Sequence, residues 1–226
     1  MSAQRADLYQ IKGDSHPHHA HRHSPARPDD TTPPGRYELM ILAMRDLLIE
    51  KGVLTADQIR RGLETLDSWQ PSRGAEIVAR AWTDPAFKRR LLADGNDAVA
   101  DFSIDMGGAK LTVLENTDTV QNVVVCTLCS CYPRAVLGLP PDWYRSRNYR
   151  ARVVKEPRKV LSEFGTELAE GVIVRVHDSS ADLRYLVLPR RPTGTEHWSR
   201  QELAAIVTRD CMVGVANPQV GPRHGV

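Results

Sequence analysis

The sequence predicts an α+β fold, in which a helical N-terminal arm leads into a mixed domain of helices and short strands. Three observations predict it. Apolar residues recur at helical spacing between Tyr37 and Gly95, β-rich runs begin only at Lys110, and the two kinds of signal then alternate without an internal repeat. The 226 residues, 41% of them apolar, suffice for one good-sized domain with an appendage. The expected division is a disordered tail over 1–35, a helical arm over 36–100 and an α+β metal-binding domain over 101–226.

The elements follow in order. His16, His18, His19, His21 and His23 lie among Pro17, Pro25, Pro28, Pro33 and Pro34, with hardly an apolar residue after Ile11. Such a stretch cannot bury enough surface to offset the entropy of ordering, so a solvated tail is expected, with early capture of a metal ion as the alternative reading of its histidines. Met40, Ala43, Met44, Leu47 and Leu48 then mark a helix that Gly52 closes. Thr55 and Gln58 form a capping box for a second helix, with Ile59, Leu63 and Leu66 on its apolar face. A third runs from Gly74 to Trp82, turning Ile77, Val78, Ala81 and Trp82 inward. Asp84-Pro85 caps and opens a fourth through Phe87, Leu91 and Leu92, expected to stop near Gly95.

Strands are predicted over 110–115 and 122–125, the second leading straight into three cysteines. Beyond them, Pro140-Pro141-Asp142 suggests a turn into a short helix, and Pro157 opens another through Leu161. Strands over 171–176 and 184–188 are separated by the turn-like His177-Asp178-Ser179-Ser180, and Ser199 with Glu202 caps a last helix through Ile206.

Composition excludes some functions. Lys plus Arg (30) nearly balances Asp plus Glu (28), and no segment joins basic with aromatic residues as a nucleic-acid face would. No apolar run approaches the roughly 18 residues of a membrane span, and the first residues lack the apolar core of a secretory signal. No nucleic acid and no membrane is expected as a partner, and the cytoplasm is the expected compartment.

Cysteine usage is the anomaly. Cys126, Cys129 and Cys131 fall within six residues, while Cys211 lies eighty further on. Such crowding is no disulfide framework and points to a metal or to redox chemistry. A structural zinc site draws a second ligand pair from elsewhere, and no further C-x-x-C exists, nor any H-x-x-x-H outside the N-terminal histidine tract. An iron–sulfur cluster wants a fourth thiolate, and a thioredoxin-type pair leaves the third cysteine without a use.

The spacing suits a claw made by one loop. Between Cys129 and Cys131, the amide nitrogens of Ser130 and Cys131 are flanked by thiolates, so nitrogen and sulfur together close small chelate rings. Deprotonating an amide needs a strongly polarising ion, so a trivalent first-row metal is expected rather than zinc. Three thiolates and two nitrogens fill five positions and leave a sixth for water or substrate, which marks a catalytic metal.

The stretch Val125-Cys126-Thr127-Leu128-Cys129-Ser130-Cys131-Tyr132-Pro133, with Val136-Leu137-Gly138-Leu139-Pro140-Pro141, resembles the metal loop of nitrile hydratase α subunits. Ala81-Trp82-Thr83-Asp84-Pro85, Leu91 to Gly95, Val113 to Thr117, Asp178-Ser179-Ser180 with Arg184-Tyr185, and Arg191-Pro192-x-Gly194-Thr195 look like family segments in the family order. The resemblance implies a layered α/β/β/α-like domain carrying the loop. It implies metal ligation by Cys126, Cys129, Ser130 and Cys131, with Cys129 oxidised to sulfinate and Cys131 to sulfenate. Thr127 and Tyr132 are similar to the cobalt class, which makes the expected cofactor Co(III) in preference to Fe(III). The implied reaction is hydration of a nitrile to its amide, with Cys131 and Ser130 at the chemistry. Implied partners are a small-molecule nitrile, a β subunit whose arginines contact the oxidised cysteines, and a cobalt-delivery activator protein. Oxygenation weakens thiolate donation and makes the metal more acidic, which is consistent with that chemistry.

Two departures bear on substrate. Arg134-Ala135 stands where many members have Trp-Pro, and Ile104 to Lys110 lacks a glutamine common there. Arg134, Tyr144 to Arg150 and Arg209-Asp210-Cys211 lean toward the homologous γ subunit of thiocyanate hydrolase, whereas the unbroken passage from Leu114 to Val125 leans toward nitrile hydratase. A non-catalytic metal-binding subunit is the third reading of the same claw.

Other residues have plainer readings. Cys211 beside Met212 and Val213 reads as a packed small hydrophobe, and Trp82 as core. His177 and His197 have no partner at metal-ligand spacing. Arg145, Arg147, Arg150 and Arg152 form either a solvated face or an interface with the second subunit.

Overall fold

The computed structural model describes residues 33–220, so the expected tail lies outside the described residues. The first described helix, α1 (Arg36–Glu50), ends where expected: Gly52 takes a positive φ of 66°, and Val53 N–H reaches back to Leu48 O at 2.9 Å. It belongs to a unit that closes at Val53. Its apolar side chains Tyr37, Met40, Ile41, Met44 and Leu47 are all exposed.

The second unit begins at Leu54. Thr55 and Gln58 form the expected capping box of α2 (Ala56–Asp67), and Leu63 and Leu66 on this helix are also exposed. Helix α3 (Pro71–Thr83) starts earlier than the periodicity indicated, because Pro71 takes the first helical position, where the missing N–H costs nothing. It buries Ile77, Val78 and Ala81 as expected, whereas Trp82 is only half-buried and donates from Nε1 to Pro189 O at 2.8 Å. Asp84 caps α4 (Pro85–Ala93) by accepting from Ala86 and Phe87 N–H at 3.0 Å each.

The helix α5 (Gly95–Ala100) follows where the sequence suggested a stop. Asp94 caps it by accepting from Asp97 N–H at 3.1 Å. Gly95 is there for contact, since a Cβ at this position would lie 2.4 Å from Leu111 O.

Four strands form two parallel ribbons. Strand β1 (Lys110–Glu115) and β2 (Val120–Val125) precede the cysteines, and β3 (Ile173–Asp178) and β4 (Leu183–Leu188) follow them. The pairs are β1 with β4, from Lys110↔Leu183 to Glu115↔Leu188, and β2 with β3, from Val120↔Ile173 to Val125↔Asp178. Consecutive strands therefore sit in different ribbons, which meet through β2 and β4. Strand β3 runs on through His177 and Asp178, read from sequence as a turn, because both pair with β2.

Helices α6 (Arg134–Leu137), α7 (Asp142–Arg145), α8 (Arg147–Arg152) and α9 (Pro157–Glu163) lie between β2 and β3 in the chain, and α10 (Arg200–Ala205) and α11 (Arg209–Val213) close it. Helices α4 and α5 contact β1, α11 contacts β4 and β2, and α9 contacts β3, so the ribbons lie between helices as the layered expectation had it. The core joins Ile77, Leu91, Val99, Leu111, Val123, Leu137, Leu161, Leu186 and Met212. Burying each such side chain contributes roughly 1.5–3 kcal/mol.

Two polar details fix β2. Asn122, buried, donates from its side chain to Glu115 O at 2.8 Å and Asn116 Oδ1 at 3.0 Å, and lies 2.9 Å from His177 Nε2. His177 is thus satisfied within the ribbon. Gly214 ends α11 at φ 90°, and a Cβ there would lie 2.0 Å from Asn122 O. Only glycine lets this turn press onto β2.

Candidate metal centre

Strand β2 delivers its chain into the cysteine loop from a fully buried end. Val123, Val124, Val125 and Cys126 are each no more than 1% exposed. The backbone then rises to the surface at Thr127 and Leu128 and returns to the interior at Tyr132 and Pro133, before α6 begins. A buried strand end and a buried return therefore pin a five-residue excursion, 127–131.

The excursion brings the three sulfurs together. Cys126 Sγ lies 3.4 Å from Cys129 Sγ, which lies 3.3 Å from Cys131 Sγ, and all three fall within 4.8 Å of one another. Sulfurs bound about 2.3 Å from one ion would be about 3.8 Å apart at tetrahedral angles and about 3.3 Å apart at right angles. The Cys126–Cys129 and Cys129–Cys131 contacts are close to the right-angle spacing. The three thiol sulfurs singled out in the sequence therefore lie together on one short loop. Cys211 is buried in α11 against Thr208 and is not part of this group.

Side chains from other elements hold the loop. The β2–β3 register places Asp178 opposite Val125, at the loop's entry. There it accepts from Thr127 N–H at 2.9 Å and from Thr127 Oγ1 at 2.5 Å. Tyr149 donates to Val124 O at 2.7 Å, and Tyr144 donates to Cys131 O at 2.8 Å at the loop's exit. Burial pushes both phenols well above their ordinary range, so they stay neutral donors. Arg150 reaches Cys129 O at 3.1 Å and Thr127 O at 3.4 Å.

The sequence singled out none of these as supports of the loop. The available signal was two tyrosines and an arginine close after the cluster, since a buried tyrosine hydroxyl needs a partner. The arginine-rich stretch also proves not to be one uniform cationic face. Arg145 pairs with Asp142, and Arg152 pairs with Glu163 at 2.5 Å and with Glu156 at 2.5 Å.

The thiols are not equivalent. Hydrogen bonds from Cys131 and Cys126 bring Cys129 down to about 7, whereas burial and the neighbouring Cys129 push Cys131 up to about 12. Of Cys129 and Cys131, the exposed Cys129 is the more acidic.

A cavity of about 410 Å³ opens over Cys129, Ser130 and Cys131. Its walls come from Trp69, Asp105, Met106, Gly107, Tyr132, Ala135 and two arginines, Arg134 and Arg184. Arg73 donates to Phe102 O at 3.0 Å and Ser103 O at 3.2 Å, holding Ser103 at a φ of 54° where the chain turns into the 104–110 wall. Another cavity, near 500 Å³, lies against Trp82, Lys88 and Arg190 and has no thiol on its walls.

The model of the family described as "Nitrile hydratase, alpha chain" matches residues 35–216. The chain belongs to that family. It is 50% identical over 178 residues to the cobalt-containing nitrile hydratase subunit alpha of Pseudonocardia thermophila, covering 77% of this chain and 87% of that one. It is also 44% identical over 197 residues to the thiocyanate hydrolase subunit gamma of Thiobacillus thioparus, covering 82% and 81%. Among solved structures, a recombinant thiocyanate hydrolase "comprising partially-modified cobalt centers" superposes with a TM-score of 0.76 at 42% identity, covering 83% of this chain and 92% of that one. As a nitrile hydratase α-chain relative, the protein carries the family's cysteine loop intact at Cys126, Cys129 and Cys131.

Proposed function

We propose that this chain is the metal-bearing α subunit of a nitrile hydratase, with Co(III) held by the thiolates of Cys126, Cys129 and Cys131 and the amide nitrogens of Ser130 and Cys131. The observation that carries this reading is the convergence of three sulfurs on one loop beneath a cavity. Bound there, the ion supplies a Lewis acid for the nitrile nitrogen and an open coordination position.

The chain's own residues do the rest. Cys129 as sulfinate and Cys131 as sulfenate would present oxygens to the cavity. Either a water held beside Cys131 adds to the nitrile carbon, or the Cys131 oxygen adds and a water then replaces it at sulfur as the S–O bond breaks; in both cases one water is consumed and its two hydrogens end on the amide nitrogen. Ser130, half-buried on the same wall, would help hold the ion through its backbone nitrogen. Asp178, Tyr144 and Tyr149 keep the loop from collapsing into the space that substrate needs.

A β-type partner subunit belongs to the same reading. The exposed Leu63 and Leu66 of α2, and Leu128 at 91% exposure on the tip of the loop, support contact with such a partner, as separately do the exposed apolar side chains of α1. A cobalt-delivery protein is a second proposed partner. The cytoplasm is the proposed compartment; among the described residues no helix is long and apolar enough to cross a membrane.

One observation favours a second reading, thiocyanate hydrolysis: Arg134 and Arg184 both line the cavity and would attract an anion. A paired assay of the assembled complex decides, following amide from a panel of nitriles, and carbonyl sulfide with ammonia from thiocyanate. The nitrile kcat/KM is expected to be the higher. If thiocyanate is turned over with the higher value, the nitrile reading fails while the metal loop stands. In Arg134→Trp, a loss confined to thiocyanate would show the charge acting on substrate, and an equal loss for both would place it in the subunit interface.

A further inference from the structure

Arg150 occupies a place that the chemistry above leaves unused. It stands on α8, a helix capped by Ser146, which accepts from Tyr149 N–H at 3.1 Å. Its Nη1 donates to Cys129 O at 3.1 Å and to Thr127 O at 3.4 Å, while its Nε is buried with no hydrogen-bond partner among the described residues. An arginine held by two carbonyls of one short loop restrains that loop more than a single contact would.

The two carbonyls differ in what they are bonded to. A peptide's oxygen and nitrogen share one π system, so a cation at the oxygen draws electron density away from the nitrogen. Cys129 O belongs to the peptide whose nitrogen is that of Ser130, inside the proposed ligand set. Thr127 O belongs to the peptide of Leu128 nitrogen, and Cys131 O, held by Tyr144, to that of Tyr132 nitrogen. Both lie outside the set. Of these three carbonyls, only the one nearest Arg150 communicates directly with a nitrogen that would touch the ion.

We propose that Arg150 is a positioning residue of the metal loop, fixing its shape through Thr127 O and weakening the donor strength of the Ser130 nitrogen through Cys129 O. The inference rests on the ligand set proposed above. A poorer nitrogen donor leaves the ion more electrophilic, which is the direction in which oxidation of Cys129 and Cys131 also acts.

The test is made on the assembled complex, expressed with cobalt, comparing the parent with Arg150→Met and Arg150→Lys. Cobalt per chain and the sulfur-to-cobalt charge-transfer absorption are read alongside thermal stability. In Arg150→Met the charge-transfer band is expected to move to shorter wavelength and cobalt loading at limiting metal to fall several-fold. Arg150→Lys, which keeps the charge but not the fork, should lie between Met and the parent. Parent-like spectrum and loading in Arg150→Met would overturn the proposal, and so would equal losses in both variants, which would reduce Arg150 to packing. Should Arg150→Met fail to assemble, Arg150→Lys alone decides: a shifted band supports the proposal and an unshifted one overturns it. A parent complex without cobalt would instead fail the ligand reading, and the inference with it.

Discussion

Replacement of any one of Cys126, Cys129 or Cys131 by serine is expected to abolish cobalt binding or to lower kcat by roughly a thousandfold or more, equivalent to about 4 kcal/mol of barrier. Each thiolate is a donor to the same ion, so its loss changes the ion's electronics as well as its affinity. The three variants should differ in stability. Cys129 is exposed and Cys131 only half-buried, so serine fits there at little cost to the fold. Cys126 is 1% exposed at the buried end of β2, where a hydroxyl loses its hydration, so Cys126→Ser should also lower the melting temperature. Thermal unfolding, cobalt content and amide formation measured on the same preparations separate the two effects. Full activity in any one variant would exclude the claw.

The chain alone is expected to have less than about 1% of the activity of the assembled enzyme and to associate with a second subunit, on the following physical grounds. Tyr37, Ile41 and Met44 on α1 are 79%, 68% and 60% exposed, Leu63 on α2 is 57% exposed, and Leu128 on the loop is 91% exposed. Large apolar side chains in such numbers are worth covering, at roughly 1.5–3 kcal/mol for each one fully buried, even though interface area does not convert directly into affinity. The second ground is charge. Sulfinate and sulfenate oxygens need cationic donors; Arg145 and Arg152 are already paired within this chain, so any donors beyond Arg134 and Arg184 on the cavity wall are expected from a partner. Light scattering and amide assays of the isolated chain, with and without a co-expressed β-type subunit, test both grounds. A fully active monomer would contradict them.

What could be read from the sequence was local. The C-x-x-C-x-C spacing, the Thr55 and Ser199 capping boxes and the Asp84-Pro85 start are decided within a few residues, and the structure places each as expected. Pairing was not legible. Nothing near Asp178 says that it will stand beside Val125, fifty-odd residues earlier, so Asp-Ser-Ser read as a turn although β3 continues through Asp178. The supports of the loop were hidden for the same reason. Tyr144, Tyr149 and Arg150 reach back 13, 25 and 21 residues to their carbonyls, and an arginine among arginines reads as surface until its partner is seen. The oxidised states of Cys129 and Cys131 came from family resemblance, since spacing alone gives thiolates.

The most direct test of the metal-centre assignment is elemental analysis of the purified complex combined with mass spectrometry of the peptide spanning Cys126 to Cys131. The expected result is about one cobalt per chain, with two oxygens added at Cys129 and one at Cys131. Zinc in place of cobalt, with all three thiols unmodified, would contradict it and leave a metal-binding subunit without the chemistry of a hydratase.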